Sequence, residues 1–185
     1  MEEQGLEELK KRLLALLEKK ALKKGSFVLS SGKTSNYYVD ARLLTLEPEG
    51  AFLVASIILE MVKDIHPDAI GGPTLGADPI VGALACLSCI NQAPIQTFIV
   101  RKEPKGHGTA RQIEGPELKK NSKVILVDDV ATTGKALIEA KHALQKEGVG
   151  IDKAIVIVDR CEGAKENLAK EGLKLEAIFT IADFK

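Results

Sequence analysis

Residues 124–136, Val124-Ile-Leu-Val-Asp-Asp-Val-Ala-Thr-Thr-Gly-Lys-Ala136, run from an apolar strand into two adjacent carboxylates, then into a hydroxyl- and glycine-rich turn that opens a helix. Each part suits one portion of a sugar phosphate. The backbone N–H groups of Ala131, Thr132, Thr133, Gly134, Lys135 and Ala136, with two threonine hydroxyls at a helix N-terminus, can cradle a phosphate dianion without a cationic side chain. Asp128 and Asp129 can accept hydrogen bonds from the two hydroxyls of a ribose, which a phosphate site alone would not require. Adjacent carboxylates after an apolar strand repel each other unless something they bind compensates, which weighs against an ordinary surface turn. A Walker A loop fails at both ends, because Asp129 stands where its first glycine belongs and Ala136 where its Ser or Thr belongs. Without a Walker A loop, reading the strand as a Walker B segment has no purpose.

A second segment, residues 100–115, follows another apolar strand and combines four cations with three glycines and few apolar residues. Such a stretch cannot bury itself, so residues 102–114 are expected to be mobile, and mobility joined to positive charge describes a lid over an anion as readily as a solvated loop. Cys86-Leu-Ser-Cys89 is formally a CxxC pair. It falls late in an apolar helical run instead of opening a helix after a strand, and no second pair is available for zinc, so core packing is the expectation for these thiols.

The elements that must position these residues follow from periodicity. Leu6, Leu9, Leu13, Leu16 and Leu17 recur at helical spacing, and Gly25 is a candidate stop. Two β-prone runs, Phe27-Val-Leu and Tyr37-Tyr-Val, then flank a polar turn and predict a hairpin with a longer loop. Pro48 starts the next helix, through about Asp64. From Asp68 onward, short apolar strands (Ala69-Ile-Gly, 95–100, 124–127, 154–158 and 177–181) alternate with helical runs near 77–89, 135–147 and 162–171. Continuous apolar strands separated by helices predict an open, mainly parallel α/β sheet covered on both faces, with ligands outside the carboxyl ends of the strands.

Composition bounds the rest. A chain of 185 residues suits one domain, divided into an N-terminal helix and hairpin over 1–47 and an α/β core over 48–185. Lys plus Arg and Asp plus Glu are 26 each, so no overall charge invites nucleic acid or an anionic membrane. The longest apolar stretch, residues 51–59, is far short of the roughly 20 that cross a bilayer, and the N-terminal residues are acidic where a signal peptide would be basic. Three cysteines without a secretion signal favour reduced thiols. A cytoplasmic protein is the expectation.

The strand, acidic pair and Thr-rich loop of residues 124–136 resemble, at all thirteen positions in character, the signature with which type I phosphoribosyltransferases bind 5-phosphoribosyl 1-pyrophosphate (PRPP). Lys135 stands where that family usually places Gly, Thr or Ser. Arg101-Lys-Glu-Pro-Lys-Gly-His-Gly108 resembles the catalytic loop of the orotate phosphoribosyltransferase branch. The resemblance implies transfer of the phosphoribosyl group from PRPP to orotate in pyrimidine biosynthesis, on a type I fold with a small N-terminal hood. It further implies that Arg101, Lys102, Lys105 and His107 meet the departing pyrophosphate in a homodimer whose lids cross between subunits. Asp128 to Ala136, Val130 included, would hold PRPP, and Mg²⁺ would be carried mainly by PRPP oxygens and water, with no dedicated protein ligands.

Residues 27–37 resemble the hood that holds orotate through backbone groups, here around Tyr38 and Val39, with Thr132 also facing the base. Gly72-Pro-Thr-Leu-Gly-Ala-Asp-Pro79 resembles the pyrophosphate loop, in which the resemblance implies a cis peptide between Thr74 and Leu75. Arg160 matches the arginine that takes the orotate carboxylate, against the plainer reading of a strand-end surface charge. Ser30 and Leu75-Gly76 stand where many members carry a lysine and a Tyr-Lys pair. A sensor of PRPP without catalysis, or a transferase for a purine or uracil, are the competing readings.

Overall fold

The computed structural model describes residues 5–28, 34–103 and 111–184. Helix α1 (Leu6–Leu16) presents Leu9 and Leu13 to the core and runs into a π-helical turn, Leu17–Ala21, that buries Leu17 and Ala21. The helix therefore stops at Ala21 and not at Gly25. Gly25, at φ +155°, lies instead inside strand β1 (Leu22–Val28), where the pairing with β2 (Thr34–Val39) shifts register between Lys24 and Phe27. A glycine at a bulge supplies the backbone conformation that a side chain would resist. The predicted hairpin is present as this antiparallel pair, and its tip lies outside the described residues.

After the hairpin come a short helix α2 (Arg42–Thr45) and then α3 (Pro48–Val62), which Pro48 opens as expected. Gly50 lets the two approach, since a Cβ there would stand 2.3 Å from the Leu44 carbonyl oxygen. An exposed ion pair between Arg12 and Glu49, 2.8 Å apart, links α1 to α3.

The main sheet comprises β3 (Ala69–Pro73), β4 (Gln96–Val100), β5 (Ile113–Glu114), β6 (Lys123–Ala131), β7 (Gly150–Asp159) and β8 (Lys174–Thr180) in the order β5-β4-β3-β6-β7-β8. All neighbours are parallel except β5, which runs antiparallel to β4. Helix α4 (Ala77–Ile90) connects β3 to β4, α5 (Lys135–Lys146) connects β6 to β7, and α6 (Ala164–Lys170) connects β7 to β8. The strand order reverses between β3 and β6, and a crevice for ligands opens at such a switch point.

Alternation along the central strands feeds two cores. Ile125, Val127, Ile155 and Ile157 face the layer that contains α1, α3 and α4, together with Val39 and Leu44. Val124, Leu126, Ala154 and Val156 face α5 and α6. Core packing of Cys86 and Cys89 fails here, since both are exposed, and these two and Cys161 are free thiols. The stripe of α4 that meets the core is Ala77, Ile80, Val81, Leu84 and Leu87, so helical spacing turns Cys86 and Cys89 outward. No helix among the described residues is long and apolar enough to cross a membrane.

Candidate active site

Strand β6 continues four residues beyond Val127, where the periodicity placed its end, and this extension makes the site. β3 pairs with β6 only from Ala69 to Gly71, opposite Val124 to Leu126, whereas β7 stays paired as far as Ala131 opposite Asp159. The acidic pair thus sits on strand backbone fixed from one side and open to the crevice on the other. The Asp129 N–H donates to Asp128 Oδ1 (2.9 Å), and the Val130 N–H donates to Asp129 Oδ1 (2.7 Å).

Across the crevice, the loop after β3 carries a cis peptide between Thr74 and Leu75. Thr74 Oγ1 donates to Asp78 Oδ2 at 2.9 Å. Gly76 faces the acidic pair so closely that a Cβ would lie 2.2 Å from Asp128 Oδ1 and 2.5 Å from Asp129 Oδ1. A side chain in place of Gly76 would close the crevice.

Burial raises the pKa of Asp128 well above the usual carboxylate value, and the neighbouring charge of Asp129 raises it further. Asp129 is also raised by burial, with the Arg42 guanidinium among the groups that pull it back down. The pair is electrostatically costly without a ligand.

Two hollows meet at this pair. The smaller, about 160 Å³, is lined by Asp128 and the segment from Val130 to Leu137. Gly134, left-handed at φ +78°, turns the chain into α5, whose first N–H groups receive no side-chain cap. Uncapped donors around a hollow of this size suit a phosphate group. Lys135 lines the hollow, but its side chain is 81% exposed and lies 3.7 Å from Glu139. Asn167 Nδ2 donates to the Thr133 carbonyl at 3.0 Å and braces the turn from α6.

The larger cleft, about 1220 Å³, brings together Tyr38, Val39, Arg101, Lys102, Asp129, Val130, Thr132 and Arg160. Arg160 is 6% exposed and no surface charge: its guanidinium stands 5.0 Å over the Tyr37 ring, and Nη2 lies 2.9 Å from Glu162 Oε1. Phe27 packs against Tyr38 with ring centroids 5.7 Å apart, which positions the hood wall.

The expected lid is tied down at its ends. Ile113 and Glu114 pair with Val100 and Ile99, Gln112 Nε2 donates to the Arg101 carbonyl at 2.9 Å, and Arg101 Nη1 lies 3.5 Å from Glu114 Oε1. Within the segment 102–114, Ile113 and Glu114 form the antiparallel edge strand β5 and Gln112 staples it to Arg101. Lys105 and His107 lie outside the described residues. The sequence reading missed Asp40, Arg42 and Glu162, which line or support the cleft. The Asp40-Ala-Arg42 spacing just after the hood was the one available signal.

An acidic strand end beside a phosphate-sized hollow, at the switch point of a parallel sheet, is the arrangement that the resemblance to phosphoribosyltransferases implies. Residues 42–185 match the family model described as the phosphoribosyl transferase domain. The chain is 44% identical over 177 residues to the orotate phosphoribosyltransferase of Aquifex aeolicus, covering 94% of this chain and 96% of that one. It is 40% identical to that of Methanothermobacter thermautotrophicus over 185 residues, with 100% and 98% coverage. A crystal structure of Mycobacterium tuberculosis orotate phosphoribosyltransferase in complex with PRPP superposes with a TM-score of 0.76 at 33% identity, covering 95% of this chain and 98% of that one. The chain belongs to the orotate phosphoribosyltransferase family.

Proposed function

We infer that this chain transfers the phosphoribosyl group of PRPP to a ring nitrogen of orotate, releasing pyrophosphate and forming orotidine 5′-monophosphate in cytoplasmic pyrimidine biosynthesis. One observation carries the reading: a phosphate-sized hollow and a larger cleft meet at Val130 and Thr132, with Asp128 lining the first and Asp129 the second. A sugar phosphate laid across that junction would put its 5′-phosphate on the N-terminus of α5 and its ribose hydroxyls on the acidic pair. Its anomeric carbon would then enter the cleft that holds Arg160. Catalysis is then positioning and charge stabilisation, with no nucleophilic side chain.

Mg²⁺ fits this wall. Asp78 Oδ1 is buried without a hydrogen-bond partner among the described residues, and the acidic pair is under mutual repulsion. A divalent cation carried by PRPP and its waters would offset both and neutralise charge on the leaving pyrophosphate. With PRPP and Mg²⁺, a spectrophotometric panel of orotate, uracil, adenine and hypoxanthine should show turnover of orotate alone, lost on chelation and restored by Mg²⁺. Turnover of another base at a comparable rate, or binding of PRPP with no turnover of any base, would sink the reading.

The family likeness also supports a homodimer in which each lid serves the opposite subunit. Mixing Lys105→Ala and Asp128→Asn chains under conditions of proven exchange places both lesions in one site of each mixed dimer. About half of randomly reassorted dimers are mixed, so activity should recover to about a quarter of the unmutated level. No recovery would mean that Lys105 acts within its own subunit.

A further inference from the structure

The leaving pyrophosphate must be met by positive charge, yet the loop that faces the acidic pair supplies none. From Thr74 to Asp78 it offers a hydroxyl, two apolar side chains, a glycine and a carboxylate. With Asp40, Asp78, Asp128 and Asp129 gathered around this part of the crevice, an incoming polyanion meets four carboxylates. Two of the cations lining the cleft are engaged elsewhere: Arg160 is buried with Glu162 and Tyr37, and Arg101 pairs with Glu114.

Arg42 is placed differently. It opens α2, directly after the hood, and lines the cleft with Leu75, Gly76 and Asp129. Asp40 grips it on one edge only: Nε donates to Asp40 Oδ1 at 2.9 Å, Nη2 to Oδ2 at 3.3 Å, and the Arg42 backbone N–H to Oδ1 at 3.3 Å. A guanidinium held by that edge keeps Nη1 available, and Nη1 has no hydrogen-bond partner among the described residues. Its side chain is 44% exposed, so it is open to a ligand entering the cleft. The charges of Arg42 and Asp129 also act on each other, which sets the guanidinium beside the acidic pair.

The geometry points to Arg42 as a binding residue for the diphosphate end of the sugar-phosphate substrate, with Asp40 as the positioning residue that aims it. The assignment rests on the transferase reading above and adds to it the cation that the Thr74–Asp78 loop lacks. The 5′-phosphate occupies the hollow under α5, and the base lies toward Arg160. Arg42 therefore meets the group on the remaining side of the anomeric carbon.

The reverse reaction separates this role from the others, because pyrophosphate and orotidine 5′-monophosphate are then independent substrates. Arg42→Ala is expected to raise the KM for pyrophosphate by tenfold or more and leave that for the nucleotide within twofold. Arg42→Lys should recover part of the loss, since charge without the fork is a weaker match. Asp40→Asn should shift the pyrophosphate KM in the same direction by less, and adding it to Arg42→Ala should cost nothing further, because its effect acts through the guanidinium. If Arg42→Ala does not fold, as judged by its thermal midpoint, Arg42→Gln serves in its place with the same expected pattern. Equal changes in both constants, no change in either, or additive losses in the double variant would overturn the assignment. Absence of turnover in the unmutated protein would instead overturn the transferase reading itself.

Discussion

Arg160→Ala is expected to raise the orotate concentration needed for half-maximal rate by about two orders of magnitude and leave the PRPP requirement near its original value. A charged hydrogen bond contributes about 1.5 to 3 kcal/mol, and each 1.4 kcal/mol is a factor of about ten, so losing a two-pronged contact to a carboxylate reaches that range. The guanidinium is pre-set for the task. Burial limits its conformers, the Tyr37 ring lies beneath it, and Glu162 fixes one nitrogen. Lysine should rescue poorly, because a point charge cannot reproduce the fork or the stacking. Steady-state kinetics with each substrate varied in turn is the check. A matched rise for orotate and PRPP would remove Arg160 from the base site and return it to a structural role.

Asp128→Asn carries the second large effect, and it has two signs. PRPP use should fall by a factor of about 100, because the amide keeps the shape but loses the charge that two ribose hydroxyls would bond to. Asp129→Asn should fall in the same sense. Stability of the ligand-free protein should move the other way at Asp128. Burial and the adjacent Asp129 raise the folded-state pKa of Asp128 above its unfolded value, so the native state favours the protonated form. As pH rises from the unfolded value to the raised one, the unfolded chain gives up its proton first, and the stability of the native protein falls across that window. Above the raised pKa the penalty is constant. The asparagine variant lacks this descent and should melt higher at neutral pH. Thermal midpoints from pH 4 to 8 without ligand, paired with PRPP kinetics, test both signs. Full activity in both variants would end the ribose assignment.

The alternating half of the chain was open to inspection because β3, β4, β6, β7 and β8 each carry an apolar run, and because buried strands need no polar face; the two-residue β5, half of it acidic, gave no such signal. The Thr-rich loop was equally plain, since no packing demand explains two acids followed by two threonines and a glycine. The missed parts depend on neighbours distant in sequence. The periodicity ends β6 at Val127 because the next residues are charged, but pairing with β7 carries the backbone to Ala131. Cys86 and Cys89 look like core residues by type, and only the angular position of the α4 stripe exposes them. Gly76 looks like a loop glycine until the acidic pair is set against it. Asp40 and Arg42 belong to a segment whose spacing suits many surface turns, and they acquire meaning only through the cleft they enter.

The two cores described above divide labour as well as space. The hood wall, with Val39, Ala41 and Leu44, shares its packing with α1, α3 and α4 on one face of the sheet. The phosphate turn, with Ala131, Leu137 and Leu168, is anchored in the packing on the other face. The hood wall and the phosphate turn therefore rest on separate packing layers, which lie back to back along the sheet from β3 to β8. Substitutions that reshape the first layer can accumulate without loosening the grip on the second. On the transferase reading, a reshaped hood would alter one wall of the base pocket and leave the phosphate turn in place.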